Sequence, residues 1–417
     1  QQLTLVWGGP LASVFGVFYD VSVRMDITFA ARDIVFSLRI DNRTNLPIGE
    51  VRYPIIGGTL GLGEKISHRR NTVRFVPIGS GYDSQPIYRV FNNMTWLGEP
   101  LPEQVYLYPH TLPMPWMYLF SAKVNRGVYF GAHDLIRRVK AIQLQQHPGI
   151  ASNRSSGNWP TAEELDGDPA GVAFNFVFFP YLSSTQSFSG CPVVLRFQEG
   201  DVEQARQYYR GWFSKGTGDI HAQTGIGRVL KVSVEHFSEI NTLIARAKEE
   251  EFTAICVANW RRAPGTLDFS VDDGKGGLQA LNEAAEACHE AGVGLFLLFQ
   301  VQCVNPEDDS IQREFSSCLS KDRWGVLFTR PDDRWAWVGI GCPAVRERLV
   351  SEIAPLAQAG VDGLLVNNFF TDKLDFNEQS GTTPDRADWD NGLETLRAIL
   401  SEAQRLNPNF RLITDSC

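Results

Sequence analysis

No apolar run in the chain approaches the ~20 residues that a membrane-spanning helix needs, and no Cys-x-x-Cys pair offers a zinc site. Basic charge is also short. There are 39 Lys and Arg against 48 Asp and Glu, a net charge of −9, which argues against a nucleic-acid or anionic-membrane partner. The seven His are dispersed, so neither a metal site nor a cofactor is expected. No Ser or Cys elbow marks a nucleophile. The seven Cys are scattered, and Cys256, Cys288, Cys303, Cys318 and Cys342 in the second half read as buried free thiols. The chain begins at Gln1 rather than Met, as after signal-peptide removal, loss of an upstream segment or trimming. The first of these favours a secreted or periplasmic protein over a cytoplasmic one.

Helical periodicity is nearly missing from Thr4 to about Arg196. In its place are short alternating runs, such as Ser22–Ala30 and Asp33–Ile40, broken by Gly and Pro turns. This pattern predicts a large β-sandwich over residues 1–200. Residues 201–227 then read as a connecting helix and linker. Asp201 is its N-cap, and Ala205, Tyr208, Tyr209 and Trp212 share one face.

From Arg228 the pattern becomes strand–helix–strand–helix, which implies a parallel sheet. The strands are Val229–Val234, Thr253–Asn259, Gly294–Gln300, Val361–Phe370 and Phe410–Thr414. The helices are Ser238–Glu250, Gly277–Ala291, Ala344–Ala359 and Asn391–Leu406. No Gly-rich loop follows the first strand, where a nucleotide-binding sheet would carry one. The predicted fold class is therefore a large N-terminal β-sandwich followed by a (β/α) TIM-type barrel over 228–417. A whole barrel takes ~250 residues. About five of eight strands are present, so a partner or a C-terminal segment is expected to complete it.

In such a barrel the chemistry lies where the strands end. Those ends carry Glu235 and His236, then Asn259, Trp260, Arg261 and Arg262, then Gln300 and Gln302, then Asn367 and Asn368, then Asp415. An aromatic ring with amides and guanidinium groups suits a carbohydrate. His236, Trp260, Arg261, Gln300 and Asn368 are the candidate substrate-binding residues. Each has a plainer reading. Glu235-His236 also fits a helix start, Arg261-Arg262 a solvated pair, Trp260 a core residue, and Asp362 a tie for the turn before its strand. In the first half, a strand runs into His133-Asp134. That pair reads either as a capped turn or as a loop that reaches substrate.

Several stretches resemble a known group. They are Gln204–Trp212, Trp116-Met117-Tyr118 with Gly127–Asp134, and Ala359–Val366. The group is the retaining glycoside hydrolases with an N-terminal β-sandwich and a (β/α)8 barrel, related to the endo-α-N-acetylgalactosaminidases. The resemblance implies hydrolysis of α-linked carbohydrate by two carboxyl groups, a nucleophile Asp ending strand four and an acid/base Glu ending strand five. Here those positions hold Asn367 and Asp415. A neutral amide is a poor nucleophile. Four explanations stand: an engineered substitution, a natural carbohydrate-binding relative without activity, a nucleophile at Asp372, Asp375 or Glu378 instead, or substrate-assisted attack. A structural or assembly component is the remaining alternative to an enzyme.

Overall fold

Val21, Val23, Met25 and Ile27 alternate with Ser22, Arg24 and Asp26, which gives a strand one apolar face. The computed structural model of the chain builds this strand and the sheet around it. It describes all residues except 14, 60–61, 63–71, 80, 87–94, 97–98, 101–102, 149–169, 218–226, 302, 368, 370–372 and 415–417. The chain divides into two compact units, Gln1–Ile220 and His221–Cys417.

The main strands of the first unit are β1 (Gln2–Trp7), β2 (Val21–Ala30), β3 (Asp33–Asn42), β4 (Val51–Thr59), β5 (Thr72–Ile78) and β6 (Gly81–Pro86). They continue with β7 (Glu103–Tyr108), β8 (Trp116–Ser121), β9 (Arg126–Ala132), β10 (Lys140–Pro148), β11 (Ala170–Phe178) and β12 (Val193–Glu199). A nine-stranded antiparallel sheet has the order β1-β2-β3-β12-β9-β8-β5-β6, with Ser187–Ser189 added beside β3. A four-stranded antiparallel sheet has the order β7-β10-β11-β4. One core joins them. Phe36, Leu38 and Phe130 come from the larger sheet, and Tyr53, Ile142, Phe174 and Phe176 from the smaller. The Phe130 ring lies 4.9 Å from both Phe174 and Phe176. Each such buried ring contributes about 1.5–3 kcal/mol.

Helix α1 (Val202–Thr217) begins where the Asp201 carboxylate accepts from the Glu203 N–H at 3.0 Å. Its predicted face of Ala205, Tyr208, Tyr209 and Trp212 packs with Trp116, Tyr118 and Tyr129. Tyr118 and Tyr129 face away from the core of the two sheets, so α1 covers the outer side of the larger sheet. This cover explains why β8 reads as an unbroken apolar run. Both of its faces are buried.

The second unit holds five parallel strands, β13 (Arg228–Val232), β14 (Phe252–Val257), β15 (Gly294–Phe299), β16 (Gly363–Val366) and β17 (Arg411–Thr414). They lie side by side in sequence order. A doubly wound sheet would reverse its order at a switch point. The five strands stand in the order that the expected barrel would give, and the sheet does not close on itself among the described residues.

Helices α2 (Ile240–Glu249), α3 (Gly277–Glu290), α4 (Pro343–Gln358) and α5 (Ala387–Leu406) connect the strands. Their apolar faces meet Leu230, Ile255, Leu297, Phe299 and Leu364. The opposite face of the sheet carries Ala254, Cys256, Phe296 and Leu298, also buried. Both faces are apolar, which is why the strands read as continuous hydrophobic runs.

Gly363 is required by close approach, since a Cβ there would lie 2.0 Å from the Arg411 carbonyl oxygen. Gly360 ends the region of α4 with φ +84°. Asp362 then ties the turn by accepting from the Leu295 N–H at 2.7 Å and from His289 at 3.0 Å.

One cysteine expectation is corrected. Cys318 and Cys342 are joined in a disulfide. The excursion between β15 and α4 folds back on itself and brings the pair together, a proximity that a sequence separation of 24 conceals. Cys256 and Cys288 are buried free thiols as expected, Cys303 is free but only partly buried, and Cys191 of the first unit is buried and free as well. Burial pushes Cys191, Cys256 and Cys288 each up to about 12.

Candidate functional site

Beyond the C-terminal ends of β14, β15 and β16 lies a cleft of about 150 Å³. It is lined by Arg261, Pro264, Gly265, Gln300, Cys303, Arg330, Trp335 and Asn367. Three of these, Arg261, Gln300 and Asn367, are strand-end residues singled out from the sequence. The excursion after β15 adds Cys303, Arg330 and Trp335. A short ladder of Cys303–Val304 with Ala336–Trp337 holds that excursion over the strand ends.

Asn367 donates its backbone N–H to the Phe299 carbonyl at 3.0 Å, which continues the β15–β16 ladder by one step. Its amide oxygen is buried and has no hydrogen-bond partner among the described residues.

Arg261 is a structural hub as well as a wall of the cleft. Its guanidinium donates to the carbonyls of Gln300 (3.2 Å), Ala263 (3.3 Å), Thr266 (2.8 Å) and Asp268 (3.0 Å). It also lies 3.7 Å from the Phe269 ring centroid. Burial lowers it to about 10, against the opposing pull of Asp268 and Glu352, so it stays charged at neutral pH. Its neighbour Arg262 is the exposed one and pairs with Asp268 at 3.0 Å.

Trp335 lies with Trp324 and Trp337 in the long connection between β15 and α4. Its ring packs over Gly265, where a Cβ would come within 2.6 Å and φ is +82°. Arg330 covers it at 5.2 Å and pairs with Asp333. The signal that marks Trp335 is the density of aromatics in a long strand-to-helix connection, because such connections build the sites of parallel β/α folds. Burial pushes the Cys303 thiol up to about 11, with Arg330 and Lys373 opposing, so it is no thiolate nucleophile.

Other expected site residues lie elsewhere. Trp260 is no platform: its ring is 0% exposed, and its indole N–H donates to the Leu298 carbonyl at 2.8 Å. Asn259, one residue earlier, clamps the Val234 backbone with its side-chain amide, accepting from the Val234 N–H and donating to the Val234 carbonyl. His236 is exposed and serves as a cap. Its ring accepts from the Ser238 N–H, while Glu239 accepts the His236 N–H in return. Asn368, Asp372, Gln302 and Asp415 lie outside the described residues. Of the two other alternative nucleophiles, Glu378 is exposed in a short 3₁₀ turn. Asp375 is buried and accepts from Ser320 Oγ and the N–H groups of Lys321 and Asn377. Burial outweighs those bonds and raises its carboxyl above the usual range.

His133 and Asp134 are engaged inside the first unit. Asp134 lies 3.1 Å from Lys140 Nζ and accepts from the Ile136 N–H, as a capped turn would. His133 stacks on Trp212 at 4.2 Å and meets Tyr129 Oη at 3.1 Å. Burial lowers it to about 4, with Asp33 opposing. The folded state therefore binds fewer protons here than the unfolded chain does. Stability is full above the unfolded value near 6.5 and falls as pH drops from there towards 4. The expected loss is on the order of 3 kcal/mol. Urea midpoints across pH 7 to 4 for wild type and His133→Gln check this. Parallel curves for the two proteins would show that His133 does not titrate as expected.

No protein-family model matches the chain, and no curated protein matches it significantly. Solved structures do. The alpha-N-acetylgalactosaminidase NagBb of Bifidobacterium bifidum superposes with a TM-score of 0.65 at 11% identity, over 99% of this chain and 68% of that one. The GH36 alpha-galactosidase AgaA of Geobacillus stearothermophilus gives 0.58 at 12%, over 99% and 55%. The alpha-galactosidase of Lactobacillus brevis gives 0.55 at 10%, over 99% and 56%.

The chain has the fold of solved α-glycosidases.

It spans about two thirds of the first of these proteins and little more than half of the other two. At such identities the likeness is one of fold, and it runs through both units.

Proposed function

We propose that the second unit is a glycoside-hydrolase-like module that binds carbohydrate at its strand ends, with Asn367 in the place of a retaining nucleophile. The observation that carries this reading is the meeting of the open Asn367 amide oxygen with Trp335 in one cleft beyond the parallel strands. Sugars present C–H faces that an indole covers and hydroxyls that amides and guanidinium groups bond. Trp335 supplies the flat face, and Gln300 and Asn367 supply polar contacts. Arg261 keeps the wall positively charged. The fold shared with α-galactosidases and an α-N-acetylgalactosaminidase supports α-linked galactosides and N-acetylgalactosaminides as the first ligands to try.

In a retaining mechanism a carboxylate attacks the anomeric carbon while a second carboxyl group protonates the leaving oxygen. Asp415 takes the acid/base part under this reading. Asn367 has no negative charge to attack with or to steady an oxocarbenium ion. Sugar binding without appreciable hydrolysis is therefore the expected behaviour of this chain.

Titration calorimetry on galactose- and N-acetylgalactosamine-terminated oligosaccharides tests the site. Trp335→Ala is expected to weaken binding at least about tenfold. Trp324→Ala, whose ring is 72% exposed and does not line the cleft, is expected to leave it unchanged. If wild type binds no glycan the carbohydrate reading fails, and a structural or assembly role takes its place.

A further inference from the structure

The nine-stranded sheet ends on β1 and β6, and the two edges are built differently. β6 carries Asp83, held by Arg74 at 2.7 Å, and ends in Pro86, which has no N–H to offer another strand. β1 reads Gln-Leu-Thr-Leu-Val-Trp, with neither charge nor proline. From Gln1 to Tyr19 there is no charged side chain at all, in a chain that is 21% charged.

The register of β1 on β2 pairs Leu3 with Ile27, Leu5 with Met25 and Trp7 with Val23. Val23, Met25 and Ile27 face the core between the sheets. Leu3, Leu5 and Trp7 therefore extend the core face by one strand. The opposing sheet has only four strands, and Leu3 and Trp7 remain 46% and 42% exposed. Val6, on the other face, is 65% exposed. A hairpin of Leu11–Ala12 with Phe18–Tyr19 follows β1 and presents Phe15 at 90%, Val17 at 50% and Phe18 at 68%. These exposed side chains leave the edge segment apolar on both faces, in a chain that is elsewhere rich in charge.

An antiparallel edge is its own complement. Turned about a two-fold axis, β1 offers a second β1 the same alternation of N–H and C=O groups. Each chain carries a net charge of −9, so copies repel over most of their surface, and least along a charge-free segment. We infer that a second copy of this chain docks on β1, giving a two-fold dimer whose larger sheets run together across the β1–β1 contact. The apolar overhang of each protomer is covered by the other. This interface belongs to the first unit and does not depend on the reading of the cleft.

Light scattering and sedimentation of the full chain at micromolar concentration are expected to give the mass of two chains. Val6→Lys places a charge on the exposed outer face of the edge without touching the core, and Phe15→Asp charges the hairpin. Each is expected to raise the dimer dissociation constant at least about tenfold with an unchanged far-ultraviolet circular dichroism spectrum. Hydrogen exchange is expected to show the β1 amides that point away from β2 protected at high concentration and exposed on dilution. A single-chain mass at every concentration overturns the proposal. So does a wild-type oligomer that both variants leave intact.

Discussion

Asn367→Asp is expected to switch on hydrolysis of aryl α-glycosides, raising kcat/KM at least about a thousandfold over wild type. That factor corresponds to about 4 kcal/mol of transition-state stabilisation, a modest part of what glycosidases achieve. The substitution exchanges NH₂ for oxygen on a side chain of the same size, so the fold has no reason to change. Arg261 and Arg330 line the same cleft, and nearby guanidinium groups hold a carboxyl ionised at neutral pH. The retaining mechanism needs its two carboxyl groups ~5 Å apart, a spacing that adjacent parallel strands such as β16 and β17 supply. Release of nitrophenol from a panel of α-glycosides measures the gain. Adding Asp415→Ala is expected to abolish it. A folded Asn367→Asp protein inert on the whole panel would remove Asn367 from the nucleophile position.

The second large effect concerns stability. Trp260→Ala is expected to cost about 3–5 kcal/mol, because a fully buried indole leaves a cavity and strips the Leu298 carbonyl of its donor. Trp335→Ala, at the cleft, is expected to stay within about 1 kcal/mol of wild type and to lose sugar binding instead. Urea unfolding of both variants separates a core ring from a binding ring. Were Trp260→Ala to keep its stability and lose glycan affinity, the two assignments would be exchanged.

The contrast between these tryptophans shows how far the sequence reaches. Trp260 stands at a strand end, and strand ends line the site in parallel β/α folds, so its position in the chain favoured a platform. Which way a side chain turns once the strand has stopped depends on the loop. Here Asn259 fastens to Val234, and the indole goes inward. Trp335 is remote in sequence from the ends of the parallel strands, and the ladder of Cys303–Val304 with Ala336–Trp337 helps to bring it over the cleft. The Cys318–Cys342 bond is concealed for the same reason.

Local chemistry was legible where it is local. Period-two alternation marked β2 and β3, and period 3.6 marked the face of α1. Gly360 marked the end of a helix and Asp362 the turn after it. Unbroken apolar runs marked β14, β15 and β16, because strands covered on both faces need no polar positions. These patterns depend on neighbours along the chain, and the sequence by itself determined the succession of an antiparallel half and a parallel half. Tertiary structure alone decided the turning of Trp260 into the core, the placing of Trp335 in one cleft with Asn367, and the exposure of β1 at the edge of its sheet. Each of these is a contact between segments far apart in the chain. Such contacts are set by packing and hydrogen bonding in space, and no periodicity records them.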